Sequence, residues 1–143
     1  MKKRALLALV GTVALASCNQ APDVSGKSVT KNFTDMKLAG YTSPSGTAKY
    51  VDLNSGDRVT TLTVSGLKAN TNYLSHYHLM GTASTDACKS GGAVVGGVLG
   101  TATSDASGTL TIKGLQSTAA LKDAKYINVH EATGGAVPVC AAL

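Results

Sequence analysis

The chain has 143 residues, a size that one ordinary domain fills once a leader is set aside. Charged residues make up 15%, there are 16 glycines, Trp is absent and Phe occurs once, which together with many Thr, Val and Ser favours short strands and turns over long helices. The net charge of +5 falls to +2 beyond residue 17, where Arg58 is the only arginine and no Arg-rich stripe or aromatic-basic interleaving remains, so nucleic-acid binding is excluded as an expectation.

The N-terminus reads as an export signal. Lys2, Lys3 and Arg4 form a basic start, and residues 5–14 form an apolar core too short for a permanent bilayer anchor. The segment ends in Leu15-Ala16-Ser17-Cys18, which resembles the lipobox of bacterial lipoproteins. That resemblance implies removal of residues 1–17, lipidation of Cys18, and a protein tethered at the outer side of a bacterial membrane in the cell envelope. A plain signal peptide cut near Ser17 is the competing reading. Residues 18–27, polar and containing Pro22, Ser25 and Gly26, read as the lipidated cysteine and its tether. Residues 28–143 form the folded domain.

Strands begin at Ser28. Imperfect alternation runs through Val29, Lys31, Phe33 and Asp35 towards Leu38, and residues 41–46 (Tyr-Thr-Ser-Pro-Ser-Gly) predict a turn. A second strand covers 47–53 and ends at Asn54-Ser55-Gly56-Asp57. A clean period-2 run follows from Val59, with Leu62 and Val64 as its apolar set. Residues 67–72 connect it to the strand Tyr73-Leu74-Ser75-His76-Tyr77-His78. Residues 81–97 lack periodicity and read as a long loop containing Cys88 and the glycines Gly91, Gly92, Gly96 and Gly97. Strands at 98–103 and 109–113 flank the turn 104–108. Residues 115–123 are left as a short helix or irregular chain. Two last strands fall at 126–130 and 137–141. Seven or eight short strands, with turn signals about every ten residues, predict an all-β antiparallel sandwich or barrel.

The chemistry concentrates in two strands. All three histidines lie at 76, 78 and 130. Alternation on an extended strand sends His76 and His78 to the same face, where two imidazoles can grip one ion; a neighbouring strand carrying His130 would bring a third nitrogen. Three imidazoles suit copper or zinc, and the competing reading is ordinary strand histidines with hydrogen-bond partners. Cys88 and Cys140 suit a disulfide in an exported protein. A cysteine metal site competes, but neither residue has a CxxC partner. Tyr77 is expected in the core, Met80 in packing, and Asp86 and Asp105 in loop and turn.

Taken in order, Leu74-Ser75-His76-Tyr77-His78-Leu79-Met80-Gly81, Cys88, the glycine-rich loop, residues 101–108, Asn128-Val129-His130-Glu131 and Cys140 resemble the copper/zinc superoxide dismutases. The similarity runs from about Val59 to the C-terminus. It implies a Greek-key β-sandwich of the copper/zinc superoxide dismutase type, with the metal on the outer face. It further implies His76, His78 and His130 as copper ligands that make up the catalytic centre, and an intrasubunit Cys88–Cys140 disulfide.

The departures shape the functional expectation. The bridging histidine that the family carries after Cys88 is missing, and so are its zinc-binding histidines, so one copper ion and no zinc are expected. The family's arginine shortly before the second cysteine is absent from Ala136-Val137-Pro138-Val139-Cys140, and nine residues between His130 and Cys140 leave no room for its long charged loop. The expected function is conversion of superoxide to oxygen and hydrogen peroxide by Cu(II)/Cu(I) cycling, with water or Glu131 as proton source. The alternative is an extracytoplasmic copper-binding protein for storage, delivery or tolerance, with little turnover.

Overall fold

Alternation builds both layers of the protein. The computed structural model describes residues 23–143; the expected signal segment (1–17), Cys18 and residues 19–22 of the expected tether lie outside the described residues. In β4 (Asp57–Ser65), Thr60, Leu62 and Val64 are buried while Thr63 and Ser65 are exposed. This strand pairs with β3 (Ser45–Asp52) on one side and β7 (Leu110–Ser117) on the other, so that Ala48, Leu62 and Ile112 stand level and all three are buried. β1 (Val29–Asn32) completes a four-stranded sheet in the order β1-β3-β4-β7.

The second sheet has the order β2-β9-β8-β5-β6, from β2 (Thr34–Asp35), β9 (Val139–Ala142), β8 (Tyr126–Glu131), β5 (Asn72–His78) and β6 (Val94–Thr103). All pairings are antiparallel. The chain changes sheets at Phe33, a core residue between β1 and β2 whose amide donates to the Gly46 carbonyl. Tyr73, Tyr77, Ile127, Val129 and Val139 face Leu62, Val64 and Ile112 across the sandwich. The Tyr77 hydroxyl, fully buried, meets Thr60 Oγ1 at 2.7 Å and so joins the two layers by a polar contact. Tyr77 is core, as its alternation implies.

Several boundaries differ from the sequence reading. Ser45 and Gly46 belong to β3 rather than to a turn, and residues 115–117 extend β7 before a single helical turn, α1 (Thr118–Leu121). β9 starts two residues late, because Pro138 has no amide to donate to a ladder. The long loop is shorter than 81–97, since β6 already begins at Val94. A bulge interrupts that strand: His76 pairs with Val98 and Tyr77 with Val95, leaving Gly96 and Gly97 unpaired at φ of 70° and 75°. Gln116 Nε2 donates to both of their carbonyls, at 2.8 and 3.2 Å. Met80 is not packing; it is 42% exposed.

Candidate metal centre

β5 and β8 are direct neighbours, with Leu74 opposite His130, His76 opposite Asn128 and His78 opposite Tyr126. Directly opposed residues share a face, and successive residues alternate between faces. Tyr73, Ser75 and Tyr77, with Ile127 and Val129, therefore fill the core. His76, His78, His130, Asn128 and Tyr126 share the outer face. His76 Nδ1 and His130 Nε2 stand 3.1 Å apart, with ring centroids 5.1 Å from one another. The His78 ring lies edge-on to His76 at 5.9 Å. Among the described residues, no group of three or more His, Cys, Asp or Glu side chains is set to hold a metal ion as the side chains stand. The fold brings together the His76–His130 pair, with His78 beside it.

Backbone carbonyls decide which ring nitrogens are bare. His130 Nδ1 is 2.9 Å from the carbonyl of Glu131, and His78 Nδ1 is 2.9 Å from the carbonyl of Gly92. A carbonyl only accepts, so each Nδ1 carries the proton, and in a neutral ring Nε2 is left as a lone pair. The Nε2 of His78 is buried and has no hydrogen-bond partner. An orphaned buried acceptor of this kind costs about 1–3 kcal/mol unless something occupies it. Burial, followed by the neighbouring rings of His130 and His78, holds the pKa of His76 below its ordinary value and favours the neutral, ligating form.

These observations fit a metal ion. Two nitrogens bound at about 2.0–2.1 Å to one ion stand roughly 3 Å apart, as His76 Nδ1 and His130 Nε2 do. The ring nitrogen opposite a ligating one is ordinarily tied to a carbonyl or carboxylate, as in His78 and His130. His76 and His130 are half-buried, so the face is open to small molecules on their side.

The loop 79–93 covers the His78 end. Its middle is a single 3-10 turn (Ala87–Lys89) capped by Asp86, whose carboxylate accepts from the Cys88 amide. A disulfide joins Cys88 to Cys140 on β9, a sequence separation of 52. Close backbone approach explains two of the loop's glycines: a Cβ on Gly92 would come within 1.7 Å of the Leu79 carbonyl oxygen, and one on Gly81 within 2.1 Å of that of Ser90.

Glu131 does not join the histidines. It stands opposite Tyr73 in the ladder, on the other side of β8 from His130. Its carboxylate accepts from Lys68 Nζ at 2.6 Å and from the Tyr41 hydroxyl, and these partners, Lys68 first, hold its pKa below the usual carboxylate value. The sequence reading of Glu131 as a proton source is thereby corrected. Three residues of the site were not read from the sequence. Tyr126 stacks on His78, Gly92 supplies the carbonyl, and Asn128, 7% exposed, buries an unpartnered Oδ1 between them and His130. Period-2 spacing back from His130 places both 128 and 126 on its face, and that signal was available.

No family model matches the chain, and no curated protein matches it.

Proposed function

We propose that His76, His78 and His130 bind one copper ion, without zinc, and that the protein is a superoxide dismutase-like enzyme on a Greek-key sandwich. The observation that carries this reading is the set of three ring nitrogens on one outer face, two of them left as lone pairs because backbone carbonyls hold the proton on the opposite Nδ1, and one of those two buried without a partner. Zinc would also accept three imidazoles. Copper is preferred because these positions correspond to the copper ligands of the family that the sequence resembles. The zinc-free reading rests on the donor set of the loop 79–93, which has no histidine and whose one acid, Asp86, caps the 3-10 turn.

Bound copper would supply the Cu(II)/Cu(I) couple that takes an electron from one superoxide and gives it to a second. The residues do the rest. Gly92 and Glu131 carbonyls hold the His78 and His130 rings in their ligating tautomers, and the half-buried His76 and His130 leave an approach from solvent. Two protons are needed for each hydrogen peroxide formed. With Glu131 engaged by Lys68 and Tyr41, solvent water is the proton source. Export and anchoring through a lipidated Cys18 would place this chemistry at the outer side of a bacterial membrane, with superoxide and copper ions as its small partners.

A copper-holding role with little turnover is the second reading, favoured by the lack of any cation in residues 136–140, where an anion-attracting arginine would be expected. The dismutation rate per bound copper, measured on soluble protein starting after Cys18, separates the two. A fast rate that disappears in His130→Ala supports the enzyme; a rate no better than loosely chelated copper, with tight binding intact, makes the protein a copper holder.

A further inference from the structure

Tyr126 lies four residues before His130 on β8 and directly opposite His78. Its ring is parallel to the His78 imidazole within 2°, with centroids 4.6 Å apart, and it is 4% exposed. Its hydroxyl accepts from the Gly92 amide at 3.1 Å, and the carbonyl of the same glycine accepts from His78 Nδ1 at 2.9 Å. One aromatic side chain thus touches both determinants of His78: the ring, through stacking, and the peptide that selects the tautomer, through its hydroxyl.

The imidazole needs such a partner. Rotation about the last side-chain torsion of histidine is broad and roughly two-fold, so β5 alone does not choose which nitrogen faces the site. The carbonyl that makes the choice comes from irregular chain. That chain is tied down by the Cys88–Cys140 disulfide four residues earlier and by the bond from the Leu79 amide to the Ala93 carbonyl at 2.9 Å. Neither tie acts on Gly92 itself. The Tyr126 hydroxyl does, and it projects from the same sheet as the histidines.

We propose that Tyr126 is a positioning residue for His78, fixing the plane of the imidazole by stacking and its tautomer by anchoring Gly92, so that Nε2 stays bare and directed at the site. The proposal rests on the reading of His78 as a metal ligand. It concerns a residue that touches no reacting atom, and it predicts an effect in the metal-free protein as well as in the loaded one. Groups that orient a metal-bound histidine are commonly worth 10- to 100-fold in metal affinity.

The test compares wild type, Tyr126→Phe and Tyr126→Leu. In the metal-free proteins, ring nitrogen shifts in NMR report the His78 tautomer; copper affinity is read by competition with a chelator, and thermal melting reports the fold. Wild type is expected to show a single tautomer with Nε2 unprotonated. Tyr126→Phe keeps the stack and should retain most of the copper affinity, while the Gly92 amide exchanges faster. Tyr126→Leu should show both tautomers and bind copper about 10- to 100-fold more weakly. A folded Tyr126→Leu protein with the wild-type tautomer and affinity within twofold would overturn the proposal. If Tyr126→Leu does not fold, the Phe variant decides, because unchanged exchange at Gly92 contradicts the anchoring. Failure of the copper reading looks different. Wild type would then bind no copper or be indifferent to His78→Ala, and the metal-free NMR comparison would still decide the role of Tyr126.

Discussion

At the scale of single residues, the site depends on backbone groups as much as on side chains. His78 and His130 are ligand-like because two carbonyls accept from their Nδ1–H groups and so leave each Nε2 as a lone pair, and one of those carbonyls belongs to a glycine that nothing larger could replace. Gly92→Ala would drive a methyl group into the Leu79 carbonyl. The loop would have to move away from His78, with an expected loss of about 1–3 kcal/mol in stability, the usual cost of overpacking. Chemical denaturation measures it, and a variant as stable as wild type would show that the approach is not close in solution. Tyr77 makes a second test. Removing its hydroxyl strands Thr60 Oγ1 in the core, so Tyr77→Phe should cost about 1–3 kcal/mol. The histidines were legible in the sequence because His-x-His can only share a face on a strand. The face of Tyr126 was legible from the same spacing, but its role and that of Gly92 were not, because they arise from contacts across 34 and 14 residues of chain.

At the scale of elements, strand pairs and one stapled loop carry the site. The Cys88–Cys140 bond closes a loop of about fifty residues and should contribute roughly 4 kcal/mol in the chain-entropy picture. A Cys88→Ser, Cys140→Ser double variant should therefore be less stable by up to about that amount, a loss visible as a lower denaturation midpoint. The hairpin β3–β4 closes with Asp52 opposite Arg58, joined at 2.6 and 3.0 Å. The hydrogen-bonded guanidinium holds the Asp52 pKa below its usual value of 3.8, so this pair stabilises the fold above the unfolded pKa and is lost as pH falls through the folded one. Because Asp52 is 36% exposed, the gain is at most about 1 kcal/mol. Asp52→Asn should flatten the loss of stability as pH falls below the usual Asp52 value of 3.8, and an unchanged acid limb would show that the pair contributes nothing. Strands with clean alternation, such as β4 and β8, were legible almost to the residue. β6 was not, because Gly96 and Gly97 break its period at a bulge filled by Gln116, about twenty residues away.

For the whole molecule, short alternating runs separated by turns pointed to an antiparallel sandwich or barrel, and two antiparallel sheets are present. Which strands become neighbours does not follow from alternation. The pairing of β5 with β8, over fifty residues apart in sequence, brings His130 to His76. Met80 illustrates the limit of local reading: it follows the end of β5 and lies exposed outside the core that its apolar character suggested. Sheet, loop and carbonyls together set His76, His78 and His130 side by side, the proposed copper site.

Copper affinity by chelator competition, in wild type and in His76→Ala, His78→Ala and His130→Ala, tests that claim most directly. Tight binding of one copper per chain, sharply weakened in each variant, is the predicted result. Binding that is unchanged in all three variants would contradict the assignment of the site.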